Sequence, residues 1–342
     1  MKYQSELENI AKKMVQNGKG ILAADESTGT IGKRLDQISV ESTFDTRLKY
    51  REMLFTTSNL NKYISGVILY DETFKQVLSN GNTIPDFLND LDILPGIKVD
   101  TGAKDFALHS NEKITEGLDG LRERLQEYRH SGAKFAKWRA VITIGDKIPS
   151  EACIHANAHA LARYAALCQE NCIVPIVEPE VLMNGSHSID ECFDITKNAQ
   201  EVVFNELKLQ NVLLSGIVLK PSMVISGDQC TEQANSNEVA KMTVECLKAT
   251  VPSSVPGCAF LSGGQSDLDA TNHLNLMNKN YKDLDWNLTF SYGRALQHPA
   301  IMAWKGKDEN IEIAQSILYN RSKANGNASM GIYNPDEEMS LS

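Results

Sequence analysis

The chain has 342 residues, 42% of them hydrophobic and 23% charged, a make-up that supports a substantial core and excludes a largely disordered chain. Forty-four acidic against thirty-four basic side chains leave a net charge of −10, so general attraction to nucleic acid or anionic lipid is not expected and any anionic ligand must be captured locally. No run of about 18 apolar residues occurs, the charged start "MKYQSELENIAKK" lacks the apolar stretch of a signal peptide, and the seven scattered cysteines form no C-x-x-C pair; together these features read as a cytoplasmic protein with reduced thiols and no membrane span.

The first predicted element is a helix around residues 4–17. Beyond it, short apolar runs rich in Val, Ile, Leu and Phe alternate with longer segments of helical periodicity, the pattern of βα units. In chain order the strand candidates are GILAADES (20–27), SGVILYDE (65–72), LPGIKVD (94–100), FAKWRAVI (135–142), IVPIVEPE (173–180), GIVLKPSM (216–223), GCAFLSGG (257–264) and NLTFSYGR (287–294). Amphipathic stretches such as LDGLRERLQEYRHSG, NAHALARYAALCQEN and NEVAKMTVECLKAT lie between them, the first ending at Gly132, where a helix C-cap is expected. Eight such units with no linker between them predict an α/β fold, a single (β/α)8 TIM barrel over residues 1–322. An open doubly wound sheet is the alternative, but it would carry a glycine fingerprint after its first strand, and none is present. The stretch 323–342, KANGNASMGIYNPDEEMSLS, is rich in Gly, Asn and acidic residues and is expected to be a loosely structured tail.

In such a barrel the C-terminal strand ends face the active site, and alternate residues point inward. FAKWR then places Lys137 and Arg139 on one face, with Trp138 on the other against the helices, and VEPE does the same with Glu178 and Glu180. The other strand ends add Asp25, Lys98, Lys220, Ser262 and Arg294. Any one of these alone reads as a solvated residue or a structural ion pair, and Asp25 could equally cap the next helix. Several lysines beside two glutamates point to amine chemistry, in which a neutral lysine attacks a carbonyl to form an iminium and a carboxylate moves protons. Lys220 is favoured as nucleophile, because it follows the apolar GIVL and precedes Pro221, so desolvation would favour its neutral form.

The run LSGGQ (261–265) matches the signature loop of ATP-binding-cassette ATPases, but no G-x-x-x-x-G-K-[ST] loop accompanies it. STGTIGKR has Ser27 where the first glycine belongs and Arg34 where Ser or Thr belongs. The better reading is an anion cradle made of the Ser262 hydroxyl, the Gly263 and Gly264 N–H groups and the following helix start, opposite Gly293 and Arg294 of SYGRA. His155 and His159 share a helix face, but with no Glu between them and no evident third ligand no metal site is expected.

Taken together, GKGILAADESTGTIGKRL, GIKVD, FAKWR, ARYA, VPIVEPE, LKPSMV, FLSGGQS and LTFSYGRALQ closely resemble class I, Schiff-base-forming fructose-bisphosphate aldolases over nearly the whole chain. The resemblance implies reversible cleavage of fructose 1,6-bisphosphate to dihydroxyacetone phosphate and glyceraldehyde 3-phosphate, without metal or other cofactor, by a cytosolic homotetramer. It makes Lys220 the Schiff-base lysine and Glu178 the principal acid/base, with Asp25 at the C4 hydroxyl and Lys137 and Glu180 orienting the charge network. It also implies that Ser262, Gly263, Gly293 and Arg294 hold the C1 phosphate, that Ser27, Thr30, Lys33, Arg34 and Lys98 serve the other end with its C6 phosphate, and that Arg139 steers phosphate at the mouth. Two departures stand out. Thr30 replaces the Ser of many animal members, and the chain ends in EEMSLS where such members carry a terminal tyrosine that aids proton exchange; here the last tyrosine is Tyr333.

Overall fold

The computed structural model describes residues 2–336. Ten strands are present among them: β1 (Gly20–Ala24), β2 (Ile64–Leu69), β3 (Leu94–Lys98), β4 (Gly102–Asp105), β5 (Lys113–Glu116), β6 (Phe135–Ile142), β7 (Val174–Val181), β8 (Val218–Leu219), β9 (Gly257–Phe260) and β10 (Asn287–Tyr292). Eight of them close in the order β1-β10-β9-β8-β7-β6-β3-β2, all parallel, with helices outside, which is the expected (β/α)8 barrel. β4 and β5 form a separate antiparallel hairpin after β3. The sequence reading did not foresee it, because GAKD and KITE are short and mostly polar.

Two apolar layers hold the barrel. Inside it, Ile21, Ala23, Ile68, Phe135, Val174, Ile176, Val218 and Ala259 pack with Leu7, Ala11 and Met14 of the first helix, Gln4–Met14. That amphipathic helix therefore closes one end of the barrel. Outside it, the opposite faces of the strands pack on the helices; Trp138 is fully buried, its ring centroid 5.6 Å from that of Tyr164 on the helix Glu151–Glu170. The alternation expected for FAKWR is thus observed, with Trp138 outward and Lys137 and Arg139 inward. The helix Leu121–His130 ends at Ser131, and Gly132 follows with φ +101, the backbone conformation expected of the residue that terminates a helix.

Several strands stop before their expected ends. β1 ends at Ala24 rather than residue 27, β8 at Leu219 rather than 223, and β9 at Phe260 rather than 264. The residues beyond leave the ladder to line the cavity or start the next helix. The loosely structured tail also needs correcting: the last long helix runs Ile311–Ser329, so residues 323–329 are helical, with Ala324, Asn325, Ala328 and Ser329 buried. Tyr333 is buried as well, its N–H donating to Asn275 Oδ1 at 3.0 Å. The peptide EEMSLS (337–342) lies outside the described residues.

Candidate active site

A cavity of about 730 Å³ opens at the C-terminal ends of the barrel strands. Glu178, near the end of β7, is buried and sits between two lysines: its Oε1 is 3.0 Å from Lys220 Nζ and its Oε2 3.4 Å from Lys137 Nζ. Lys137 also reaches across the mouth to Asp25, with Nζ 2.7 Å from Oδ2. Asp25 follows β1, which is not a neighbour of β6, so closure of the barrel brings this pair together. The helix Thr28–Asp36 is capped by Ser27, whose side chain accepts from Thr30 N–H, so Asp25 is not needed as its cap.

Burial alone would raise the Asp25 carboxyl pKa, but the Lys137 ammonium, and then that of Lys220, pull it well below the usual carboxylate range. Burial would likewise lower Lys137, but Asp25 and Glu178 hold it charged, well above its usual value. Asp25 and Lys137 are thus a fixed ion pair, and the neighbouring Lys220–Glu178 contact places an amine beside a carboxylate.

Towards the rim, Arg139 pairs through Nε with Glu180. Burial opposes the charge of Arg139, but Glu180 outweighs it and keeps the guanidinium pKa above its usual value. Lys98 is tethered to Asp100, Nζ to Oδ1 at 2.9 Å. On the far side, Ser262 and Gly263 line the cavity with Gly264, Gly293 and Arg294. Gly263 and Gly264 have φ +53 and +85, a left-handed turn that a side chain would strain. Arg294 donates to the Gln265 carbonyl and lies 3.4 Å from Asp267 Oδ1. Ser27, Thr30 and Arg34 line the β1 side. Lys33 is exposed and is not among the lining residues, so the structure does not bring it to the site.

Sequence reasoning missed the residues that support this surface. Glu26 is buried, pairs with Arg34, and has Oε2 2.5 Å from Arg51 Nη2. Burial would raise its pKa, but Arg51 and then Arg34 hold it below the usual carboxylate range. Gln297 donates to Glu26 Oε1 at 2.9 Å and to the Ala23 carbonyl at 2.7 Å, while its own Oε1 accepts from Tyr50 and Arg51. Asp100 receives Lys98 and the N–H groups of Gly102 and Arg139. A usable signal was present at Glu26: two adjacent carboxylates ending an apolar strand face opposite ways, so each needs a partner if buried. Elsewhere, His155 is exposed and His159 pairs with Glu206 at 3.1 Å, so the two form an ordinary helix face. All seven cysteines are free thiols.

Comparison with known proteins finds relatives over nearly the whole chain. A family model described as fructose-bisphosphate aldolase class-I matches residues 6–342. A protein of Xanthomonas campestris pv. campestris named probable fructose-bisphosphate aldolase class 1 is 54% identical over 327 residues, covering 95% of this chain and 98% of its own. Arabidopsis thaliana fructose-bisphosphate aldolase 4, named as cytosolic, is 48% identical over 94% of this chain and 82% of its own. A solved structure of Plasmodium falciparum fructose-bisphosphate aldolase, in complex with TRAP and a small-molecule inhibitor, superposes with a TM-score of 0.95 at 47% identity, covering 97% of this chain and 96% of that one. With a matching family model across the barrel and relatives near half identity over nearly full length, the chain belongs to the class-I fructose-bisphosphate aldolase family.

Proposed function

We propose that the mouth cluster cleaves fructose 1,6-bisphosphate reversibly to dihydroxyacetone phosphate and glyceraldehyde 3-phosphate through an iminium on Lys220. The observation that carries this reading is the buried Lys220 amine 3.0 Å from the Glu178 carboxylate, inside a cavity with cationic and glycine-rich walls. Lys220 hands a proton to Glu178 and its neutral Nζ attacks the C2 carbonyl. Loss of water then leaves the iminium. The C4 hydroxyl loses its proton, the C3–C4 electron pair moves into the iminium, and glyceraldehyde 3-phosphate departs from an enamine. Protonation of C3 and addition of water release dihydroxyacetone phosphate and restore the amine.

Asp25, held ionised, fits as the acceptor that orients the C4 hydroxyl, but so acidic a group is a poor proton carrier. Glu178 is the better carrier, since its two oxygens already face both lysines. Ser262, Gly263, Gly293 and Arg294 would take the C1 phosphate and Ser27, Thr30, Arg34 and Lys98 the other end, with Arg139 and Glu180 shaping the rim; Lys33 lies outside the cavity lining, which argues against its inclusion. A cytosolic homotetramer is part of the same reading. A relative named as cytosolic supports the location.

The test is to add dihydroxyacetone phosphate, reduce with borohydride and map the adduct by mass spectrometry. A reduced adduct on Lys220 is expected, together with a loss of about 10⁴-fold or more in kcat for Lys220→Met. Trapping on another residue would refute the assignment of Lys220, and no trapping would refute the iminium.

A further inference from the structure

Behind the anion loop lies a buried pair that never touches the cavity. The Ser262 carbonyl accepts twice from Gln265, from its backbone N–H and from its side-chain Nε2, each at 3.0 Å. Gln265 Oε1 in turn lies 2.7 Å from Nδ1 of His273, on the helix Asp267–Asn280. Both side chains are buried, and neither residue lines the cavity, whereas Ser262, Gly263 and Gly264 do. The amide orientation is determined by its neighbours. A flipped Gln265 would set its carbonyl oxygen against that of Ser262, so Nε2 must face Ser262 and His273 must carry its proton on Nδ1. A peptide unit is planar and trans, with its C=O and N–H pointing opposite ways. Holding the Ser262 carbonyl from behind therefore aims the Gly263 N–H away from Gln265, towards the side where an anion would sit. The same residue also steadies the neighbouring part of this wall, because the Gln265 backbone carbonyl accepts from Arg294.

We propose that His273 and Gln265 are positioning residues for the anion loop: His273 locks the Gln265 amide, and that amide presets the Ser262–Gly263 peptide for phosphate. The pair acts on phosphate affinity rather than on bond making at Lys220. This inference rests on the aldolase reading for its substrate. Burial lowers the His273 pKa, with Asp269 opposing, so the ring stays neutral at physiological pH and the single-donor arrangement holds.

Kinetics with fructose 1,6-bisphosphate and calorimetric titration with inorganic phosphate, on the full chain, test the proposal with three variants. In His273→Leu and Gln265→Met, the KM and the phosphate Kd are expected to rise about five- to tenfold while kcat stays within about twofold, the effect of one lost neutral hydrogen bond. His273→Asn, whose Nδ2–H also hangs from Cγ, should bind phosphate like the wild type. Equal losses in His273→Leu and His273→Asn, a fall in kcat with KM unchanged, or failure of both Leu and Met variants to fold would overturn it. A wild-type protein that binds phosphate but cleaves no sugar would refute the aldolase reading and leave the loop to be judged by the titration.

Discussion

At the scale of single residues, Lys137 is the side chain on which the electrostatics of the mouth turns. It touches Asp25 at 2.7 Å and Glu178 at 3.4 Å, so its removal leaves one buried and one largely buried carboxylate with less positive charge nearby. For Asp25 the sign follows from the opposing effects: burial raises the carboxyl pKa and Lys137 is the strongest influence lowering it, so without Lys137 the pKa moves up. Lys137→Met is therefore expected to lower kcat by about 10²- to 10³-fold and to shift the acid limb of the pH–rate profile to higher pH. Lys137→Arg keeps the charge but not the compact point contact, and should restore the limb better than the rate. An acid limb unchanged in Lys137→Met would refute this role. The primary cluster was legible because Lys137 and Arg139, like Glu178 and Glu180, lie two apart on one face of an apolar strand, and because Asp25 and Lys220 directly follow one. The contacts of Glu26 and Gln297 were not, because their partners come from remote elements: Arg51 and Tyr50 from the helix Phe44–Phe55, and for Gln297 also the Ala23 carbonyl of β1. No local spacing encodes such contacts.

At the scale of elements, the strands were visible as apolar runs, but their ends were overextended wherever the following residues serve the cavity. Ladder residues and site residues share the same alternation, so periodicity continues past the last backbone pairing. The opposite error occurred at the last helix. Its Gly, Asn and Ser content resembles a solvated tail, yet these small and polar residues are what lets the helix approach the barrel closely. Asn325 accepts from Thr271 at 3.0 Å and donates to the Arg321 carbonyl at 2.8 Å, while Ser329 Oγ accepts from Gly18 N–H at 3.2 Å. A Cβ at Gly326 would lie 2.7 Å from the Gly18 carbonyl oxygen and 2.7 Å from the Tyr63 ring. Two effects compete in Gly326→Ala. Alanine gains about 1 kcal/mol of helix propensity, but overpacking against backbone costs about 1–3 kcal/mol. Because the clash is with a main-chain atom, the overpacking wins, and a net loss of up to about 2 kcal/mol in urea denaturation is expected. A stabilised Gly326→Ala would show that the helix can move away from the barrel freely.

At the scale of the whole molecule, acidification pits two effects against each other. The chain carries a net charge of −10 near neutrality, so lowering the pH reduces self-repulsion, a diffuse and salt-screened gain. Against it stand two buried histidines on different parts of the barrel. His187 has no hydrogen-bond partner on either ring nitrogen; burial lowers its pKa from the usual 6.5, with Glu191 and Asp228 opposing. His273 is lowered from 6.5 in the same way, opposed by Asp269. A histidine whose folded pKa lies below its unfolded one binds more protons when unfolded. Stability is thus complete above the unfolded value and is lost as the pH falls from there towards the folded pKa. The buried pair should win because its protons bind at sites without solvent or a hydrogen-bonded carboxylate, whereas the surface charge is spread and screened. Urea denaturation of the wild type at fixed protein concentration should therefore show stability falling between pH 7.5 and 5, although net charge shrinks over that range. His187→Gln should flatten the slope by up to about one proton, while the exposed His155→Gln should leave it unchanged. Stability that rises on acidification, or a slope indifferent to His187→Gln, would mean that reduced repulsion outweighs the buried rings.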